Sequence, residues 1–138
     1  PERFDEVAEM LDRSTLGWQR RSELAGESSE RSSRVLLVDV VGELGAGWGS
    51  ADIALVGGSF GTRGGQNMIE PAAFGAAVLF GPHTDSFRGV VEPLLAQRAA
   101  CVVADGDELT RRLAELVVIR RVGEAPAPAA WGRARTAR

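Results

Sequence analysis

Four short apolar runs constrain the fold of this chain more than any other feature of its sequence. They do not alternate polar and apolar residues, and this is typical of strands that are buried on both faces of a sheet. Stretches with helical periodicity separate the runs, and strands that alternate with helices indicate a parallel sheet. The runs cover residues 35–41, 53–56, 77–80 and 100–103, and helices are predicted at residues 43–50, 67–75, 86–97 and 107–118. The sequence therefore predicts an α/β fold with a parallel sheet and flanking helices.

The start of the chain has the pattern of a surface helix. Its apolar residues recur at i, i+3, i+4 and i+7; they are Phe4, Val7, Ala8 and Leu11. A short strand at residues 18–22 and a polar loop at residues 23–34 are expected to follow. Because Pro1 leads directly into the helical pattern, we expect the chain to be part of a longer polypeptide.

The end of the chain differs in composition from the rest. Residues 123–138 are rich in Ala, Pro and Arg and offer little apolar surface for packing. We predict one domain over residues 1–122 followed by this tail. Within the domain, Pro93 falls inside a predicted helix, where proline costs roughly 3 kcal/mol or produces a kink.

The composition of the 138 residues excludes several classes of protein. All 16 basic residues are Arg, and a net charge of -3 with both signs interspersed argues against a nucleic-acid partner. No apolar run approaches the ~18 residues that a membrane helix needs, so we expect this part of the protein to be soluble. A lone Cys101 excludes internal disulfides and fits a reducing compartment.

A glycine-rich loop joins the second apolar run to the next predicted helix. Five glycines occur among residues 57–65, and glycine permits positive φ angles and a close approach of the backbone to a ligand. N–H groups at a helix start can then face a phosphate, and Ser59 and Arg63 could add contacts. The alternative is that these glycines only form a tight turn.

The start of the following helix allows two interpretations. Asn67 and Glu70 have the spacing of a capping box, in which each side chain bonds to the other's backbone. If Asn67 were the N-cap, however, Pro71 would stand where the first intrahelical hydrogen bond needs a donor. A ligand-binding role is therefore favoured, because a carboxylate can accept two hydrogen bonds from a ribose diol.

Further candidates follow the other runs. Because the ends of parallel strands cluster at one edge of a sheet, residues 41–43, the glycine loop at 57–66 and residues 81–84 are expected to lie at the same edge. Gly42 would let the backbone approach a ligand, while Glu43 fits either a ligand contact or a favourable charge at a helix start. His83, the single histidine, is either a packed loop residue or a ligand contact, and it has no histidine partner for a zinc site. Asp105 and Asp107 match a metal-binding DxD pattern, but they precede a helical stripe and are better interpreted as a helix cap.

Three segments give the chain a resemblance to a known family. Residues 39–44, Asp-Val-Val-Gly-Glu-Leu, resemble the Asp-Thr-Met-Gly-Glu-Leu segment of the 3-deoxy-D-manno-octulosonic acid (Kdo) transferases. Residues 64–72, Gly-Gly-Gln-Asn-Met-Ile-Glu-Pro-Ala, resemble that family's Gly-Gly-His-Asn-x-Leu-Glu-Pro-Ala segment, and residues 80–84 with Phe87 and Arg88 also fit. Residues 1–4 resemble the segment after a Pro-Arg-His motif, so the resemblance reaches to about Val118.

The resemblance implies a fold, an activity and a binding site. The fold would be the Rossmann-like C-terminal domain of an inverting GT-B glycosyltransferase, which binds the CMP moiety of the donor CMP-Kdo. The implied CMP contacts are Val41, Gly42, Glu43, Asn67, Met68, Ile69 and Glu70, and the implied phosphate or sugar contacts are Ser59, Arg63, Gly64, Gly65, Gln66 and His83. Two family residues differ here: Val41 replaces Met, and Gln66 replaces His.

The resemblance also implies how a complete enzyme would work. A lipid A sugar hydroxyl attacks the anomeric carbon of Kdo with inversion, and CMP leaves, without a metal or cofactor. The acidic catalytic base and the acceptor site would lie in an N-terminal domain before Pro1, so this chain alone is expected to be inactive. The intact protein would act at the cytoplasmic face of the bacterial inner membrane. A non-catalytic nucleotide-binding module and a GT-B enzyme for another nucleotide sugar are the alternatives.

Overall fold

The computed structural model describes residues 3–24, 33–61 and 64–121. The chain divides into two compact units, Pro1–Gly47 and Trp48–Arg138. The predicted tail at residues 123–138 lies outside the described residues, as does most of the predicted loop at 23–34.

The first unit contains a helix and a two-stranded parallel sheet. Strand β1 pairs with β2 so that Gln19 lies opposite Leu36, and a 3₁₀ turn, Arg21–Glu23, follows β1 directly. Helix α1 turns Ala8 inward, as its apolar stripe predicts. The elements are α1 (Phe4–Asp12), β1 (Trp18–Arg20) and β2 (Val35–Leu37), and α2 (Leu44–Trp48) carries the chain into the second unit.

The second unit is a three-stranded parallel sheet with helices. The strand order is β3-β4-β5, and β4 is paired on both sides, with Val78 opposite Ala54 and Ala100. The elements are β3 (Ile53–Val56), α3 (Ile69–Ala73), β4 (Ala77–Phe80), α4 (Arg88–Ala96), β5 (Ala100–Val102) and α5 (Gly106–Arg121).

The sheet of the second unit has a core on each face. All four side chains of β4 are buried, as expected for a run without alternation. Val78 and Phe80 pack on one face with Met68 and Val91. Ala77 and Leu79 pack on the other face with Cys101 of β5, with Val103 just after this strand, and with Leu116 of α5. Complete burial of a large apolar side chain contributes about 1.5–3 kcal/mol, so β4 is the main anchor of this unit.

The predicted elements occur, but they do not form one sheet. Within the described residues the first apolar run pairs with β1 and the other three runs pair among themselves, so the expectation of a single four-run sheet is wrong. The run at 35–41 is a strand only over Val35–Leu37, because its partner strand β1 is only three residues long. The prediction that residues 41–43 and 57–66 open on one sheet edge stays a prediction, since they belong to different units.

The predicted helix at 86–97 is confirmed, with a modified start. A 3₁₀ turn, Asp85–Phe87, precedes α4, and Pro93 lies inside the helix. Proline has no N–H, so the bond that would reach the carbonyl of Gly89 is missing. The helix nevertheless continues, since the N–H of Gln97 donates to the carbonyl of Pro93 at 3.0 Å.

Candidate functional site

Ser59 joins the loops that follow two neighbouring strands. Its hydroxyl donates to the carbonyl of Val56 at 3.0 Å and accepts from the N–H of Gly81 at 2.7 Å. Its carbonyl accepts from the N–H of His83 at 2.9 Å. These bonds confirm that the glycine loop and residues 81–84 meet at one edge of the sheet. Ser59 itself is 0% exposed, so the prediction that its side chain contacts a ligand does not fit this geometry.

The glycines of the loop are explained largely by backbone conformation and packing. Gly58, Gly64 and Gly65 have φ angles of 77°, 73° and 99°, which glycine adopts without strain. A Cβ on Gly64 would lie 2.5 Å from the hydroxyl of Ser86, and one on Gly65 would lie 3.3 Å from the ring of Phe87. The tight-turn alternative therefore accounts for these three positions. A phosphate contact from Gly64 or Gly65 stays a prediction.

Asn67 and Glu70 are joined side chain to side chain. The amide of Asn67 donates to a carboxylate oxygen of Glu70 at 3.1 Å, and its own oxygen accepts from the N–H of Ile69 at 3.0 Å. The N-cap of α3 is Met68 rather than Asn67, so the capping box in its usual form is absent from this described segment. Pro71 then occupies the third helical position, where no intrahelical donor is needed.

Neighbouring residues of this segment point in opposite directions. Met68 is 0% exposed and packs in the core with Val56 and Phe80, so a CMP contact through its side chain does not fit. Ile69 is 50% exposed, and Asn67 and Glu70 are also exposed. These three side chains are accessible to a ligand, whereas the side chain of Met68 attaches the segment to the core.

Three candidates remain in these loops, and the structure describes two of them, Gln66 and His83. The side chains of Gln66 and His83 are exposed, and the Gln66 side chain passes close to Gly58, 3.2 Å from where a Cβ would lie. The N–H of His83 donates to the carbonyl of Ser59, and its imidazole is accessible to a ligand. Arg63 lies outside the described residues.

In the first unit, residues 39–43 form a loop between β2 and α2, here called the 39–43 loop, and its exposed part is residues 41–42. Val41 is 82% exposed at its tip, and Gly42 has a φ of 94° with open space around its Cβ position. The carboxylate of Glu43 receives two bonds from Arg21, 2.8 Å from Nε to Oε2 and 3.2 Å from Nη2 to Oε1. Its carbonyl begins α2 by accepting from Ala46 at 3.1 Å. The side chain of Glu43 is thus paired with Arg21 rather than with the helix start.

Asp39 is a buried carboxylate at the beginning of this loop. Its side chain is 6% exposed, and it accepts from the backbone N–H of Ser22 at 2.9 Å and from the Ser22 hydroxyl at 2.6 Å. These two bonds, with a weaker contact to Arg20 at 3.5 Å, hold the pKa of Asp39 below its ordinary value. Arg20 also pairs with Asp5 at 2.8 Å.

Sequence reasoning did not assign a role to Arg21 or Ser22. A signal for them exists: an acidic residue inside an apolar run such as 35–41 is rarely buried without a partner, and the segment Arg20-Arg21-Ser22 at the end of β1 offers the donors. The pairing crosses 17 residues for Ser22 with Asp39 and 22 for Arg21 with Glu43, so the spacing alone did not reveal it.

The DxD pattern is a helix cap. The carboxylate of Asp105 accepts from the N–H of Glu108 at 2.8 Å, and Glu108 accepts from the N–H of Ala104 at 2.9 Å. Among the described residues no group of three or more His, Cys, Asp or Glu side chains is arranged to hold a metal ion. In the same part of the chain, no helix is long and apolar enough to cross a membrane.

The fold has a counterpart among solved structures. The C-terminal CMP-Kdo binding domain of WaaA from Acinetobacter baumannii superposes with a TM-score of 0.80 and 28% identity, covering 96% of this chain and 70% of that domain. Parallel sheets flanked by helices in this arrangement define the class of the protein: it has the fold of the donor-binding domain of a GT-B glycosyltransferase.

Curated relatives identify the family. The 3-deoxy-D-manno-octulosonic acid transferase of Bordetella pertussis is 40% identical over 95% of this chain, and that of Haemophilus influenzae is 35% identical over 86% of it. No family model matches the chain. The chain belongs with the Kdo transferases, as its motifs indicated. It spans about a third of the length of these relatives, 31% and 27%.

Proposed function

We propose that this chain is the donor-binding part of an inverting glycosyltransferase that transfers Kdo from CMP-Kdo to a lipid A precursor. The observation that carries the proposal is the likeness of 96% of the chain to a domain described as binding CMP-Kdo. The chain matches about a third of each transferase, so the activity belongs to a longer enzyme that contains it. The lipid A acceptor and a place for the intact enzyme at the inner membrane are parts of this proposal.

Exposed residues of the segment at 67–70 support a role in holding CMP. The carboxylate of Glu70 can accept two hydrogen bonds from the ribose diol, and the bond from Asn67 fixes its orientation. Ile69, half exposed beside them, offers an apolar surface to the nucleoside. We do not extend this role to the side chains of Met68 and Ser59, because both are buried.

The 39–43 loop supports a second set of CMP contacts. Val41 presents an apolar side chain that packs against little of the protein, and Gly42, which carries no side chain, allows close backbone approach. Glu43 keeps lone pairs beyond those used by Arg21, since each carboxylate oxygen carries two. This loop thus offers apolar, backbone and carboxylate contacts within three residues.

The chemical role of the chain would be to bind and orient the leaving group. Negative charge develops on the CMP phosphate as the glycosidic bond breaks, and fixed N–H dipoles stabilise such charge without reorganisation. Gly64, which has a left-handed conformation, is the proposed backbone donor, and Arg63 is a proposed cationic partner. The N–H of Gly65 already donates to the carbonyl of Gly58 at 3.2 Å, so the role proposed for Gly65 is close approach of the backbone to the phosphate. The base that activates the acceptor would be supplied by the rest of the enzyme.

Nucleotide titration of the 138-residue chain tests the proposal. We expect CMP to bind weakly, in the millimolar range, because contacts worth about 1.5 to 3 kcal/mol each are missing with the rest of the enzyme. NMR shifts should map to residues 41–43 and 64–70, exceed those caused by UMP, and persist with a chelator. Shifts confined to other surfaces, or equal responses to CMP and UMP, would contradict the CMP assignment and favour the non-catalytic module or another nucleotide sugar.

A further inference from the structure

The 3₁₀ turn Arg21–Glu23 is bonded to both ends of the 39–43 loop. At the first end, Ser22 gives two hydrogen bonds to the carboxylate of Asp39, at 2.6 and 2.9 Å. At the other end, Arg21 gives two to the carboxylate of Glu43, at 2.8 and 3.2 Å. Adjacent residues of the turn therefore hold two carboxylates that lie four positions apart.

The part of the loop between these anchors has little support of its own. Val41 is 82% exposed, and nothing lies within 4 Å of the Cβ position of Gly42. A short segment with an exposed apolar tip and a residue at positive φ gains little from packing to offset its lost conformational entropy. The anchors at Asp39 and Glu43 consequently determine the shape in which Val41 and Gly42 are presented.

The two anchors differ in strength. The side chain of Asp39 is almost completely buried. A buried carboxylate depends on its hydrogen-bond donors, which here are the hydroxyl and N–H of Ser22 and, at 3.5 Å, Arg20. The Arg21 and Glu43 side chains are 40% and 43% exposed, so solvent screens their attraction. The forked geometry of Arg still fixes the carboxylate plane of Glu43, which a single point charge does not.

We infer that Arg21 and Ser22 are positioning residues for CMP, which hold the 39–43 loop in its ligand-binding shape without touching the nucleotide. The inference rests on the proposed function, in which Val41, Gly42 and Glu43 contact CMP. The pairs Arg21–Glu43 and Ser22–Asp39 differ from surface pairs such as Arg13 with Glu9. The Arg13–Glu9 pair connects residues four positions apart in one helical segment and is well exposed.

The test compares two positions with a matched control in the 138-residue chain. Ser22→Ala removes the hydroxyl, Ser22→Thr keeps it, Arg21→Lys keeps the charge but loses the fork, and Arg13→Ala breaks only the exposed pair. CMP affinity is measured by NMR titration, and the order of the loop by the heteronuclear NOE of the Val41 and Gly42 amides. We expect Ser22→Ala to weaken CMP about tenfold and Arg21→Lys about threefold, with lower NOE values at both amides.

Ser22→Thr should restore both quantities, and Arg13→Ala should leave both unchanged. Unchanged affinity and loop order in Ser22→Ala and Arg21→Lys would overturn the inference. If Ser22→Ala does not fold, Arg21→Lys decides alone, because it preserves the charge. Failure of the unsubstituted chain to bind CMP would overturn the proposed function instead, and the NOE values of the variants would still show whether Arg21 and Ser22 hold the loop.

Discussion

The two loops proposed to contact CMP are held in place by different physical means. The 39–43 loop depends on charged and hydroxyl side chains that reach it from the 3₁₀ turn Arg21–Glu23. The glycine loop depends on backbone conformation, on the buried hydroxyl of Ser59 and on close contact with residues 81–87. The first arrangement should respond to pH and to loss of charge, and the second should respond to small changes of volume.

The largest effect is expected for Gly81→Ala. A Cβ at this position would lie 2.6 Å from the carbonyl oxygen and 2.8 Å from the carbonyl carbon of Ser59, and backbone cannot move away as a side chain can. Such overpacking should lower the free energy of unfolding by about 3 kcal/mol, measured by urea denaturation. Gly89→Ala is the control, because nothing lies within 4 Å of its Cβ position in α4, where alanine is favoured by up to about 1 kcal/mol. Equal effects of the two substitutions would contradict the volume argument.

Removing the buried hydroxyl of Ser59 should have the next largest effect on the free energy of unfolding. Ser59→Ala leaves the N–H of Gly81 without its acceptor and should cost about 2 kcal/mol in unfolding free energy. Ser14→Ala is a matched control, since the Ser14 hydroxyl also donates to a carbonyl, that of Leu11, and accepts from an N–H, that of Leu16. Ser14 is exposed, so its loss should cost about 0.5 kcal/mol or less. Similar losses at the two positions would show that burial is not what makes Ser59 important.

At the edge of the glycine loop, Glu70→Ala should change binding more than stability. We expect CMP to bind about tenfold more weakly, while the unfolding free energy stays within about 0.5 kcal/mol of the original. The reason is that the Glu70 side chain bonds to the exposed side chain of Asn67 and to no other described residue. Glu92→Ala, on an exposed part of α4, is the control. A stability loss of about 1 kcal/mol with unchanged CMP affinity would instead identify Glu70 as a helix cap.

The smallest effect concerns pH and the 39–43 loop. The folded-state pKa of Asp39 is lowered, first by the Ser22 hydroxyl and then by the Ser22 N–H. Its contribution to stability is therefore complete above the ordinary Asp value of about 3.9 and is lost as the pH falls through the lowered folded value. Urea midpoints between about pH 6 and about pH 2 should show Asp39→Asn destabilised by a constant amount above the ordinary Asp value and approaching the original chain only below it. A constant difference across this range would argue against charge as the anchor.

The second unit was the more predictable part of the fold. The runs at Ile53–Val56 and Ala77–Phe80 are strands with the predicted bounds, because a short apolar run between turn residues is recognisable from its composition. The expected burial on both faces holds for β4 but not for β3, where Leu55 is 43% exposed. The partner of β2 was not predictable in this way. Pairing depends on contacts between residues far apart in the chain, and among the described residues β2 pairs with the short strand β1.

The site was predictable by segment more than by residue. The segments at 41–43 and 67–70 both contain exposed residues, but the resemblance could not distinguish Met68, which packs in the core, from Ile69 beside it. Position along the chain does not state which side of a loop faces inward. The same holds for α3: the difficulty posed by Pro71 disappears when the helix starts one residue later than the spacing of Asn67 and Glu70 suggests.

The central position of β4 has a consequence for how the second unit opens. Its backbone is bonded to strands on both sides, and its four side chains are buried in the two cores. Local fluctuations cannot release these amides to solvent, so Val78 and Leu79 should exchange their hydrogens only when the whole unit unfolds. Their exchange rates would therefore report the cooperative stability of the unit Trp48–Arg138, separately from events in the unit Pro1–Gly47.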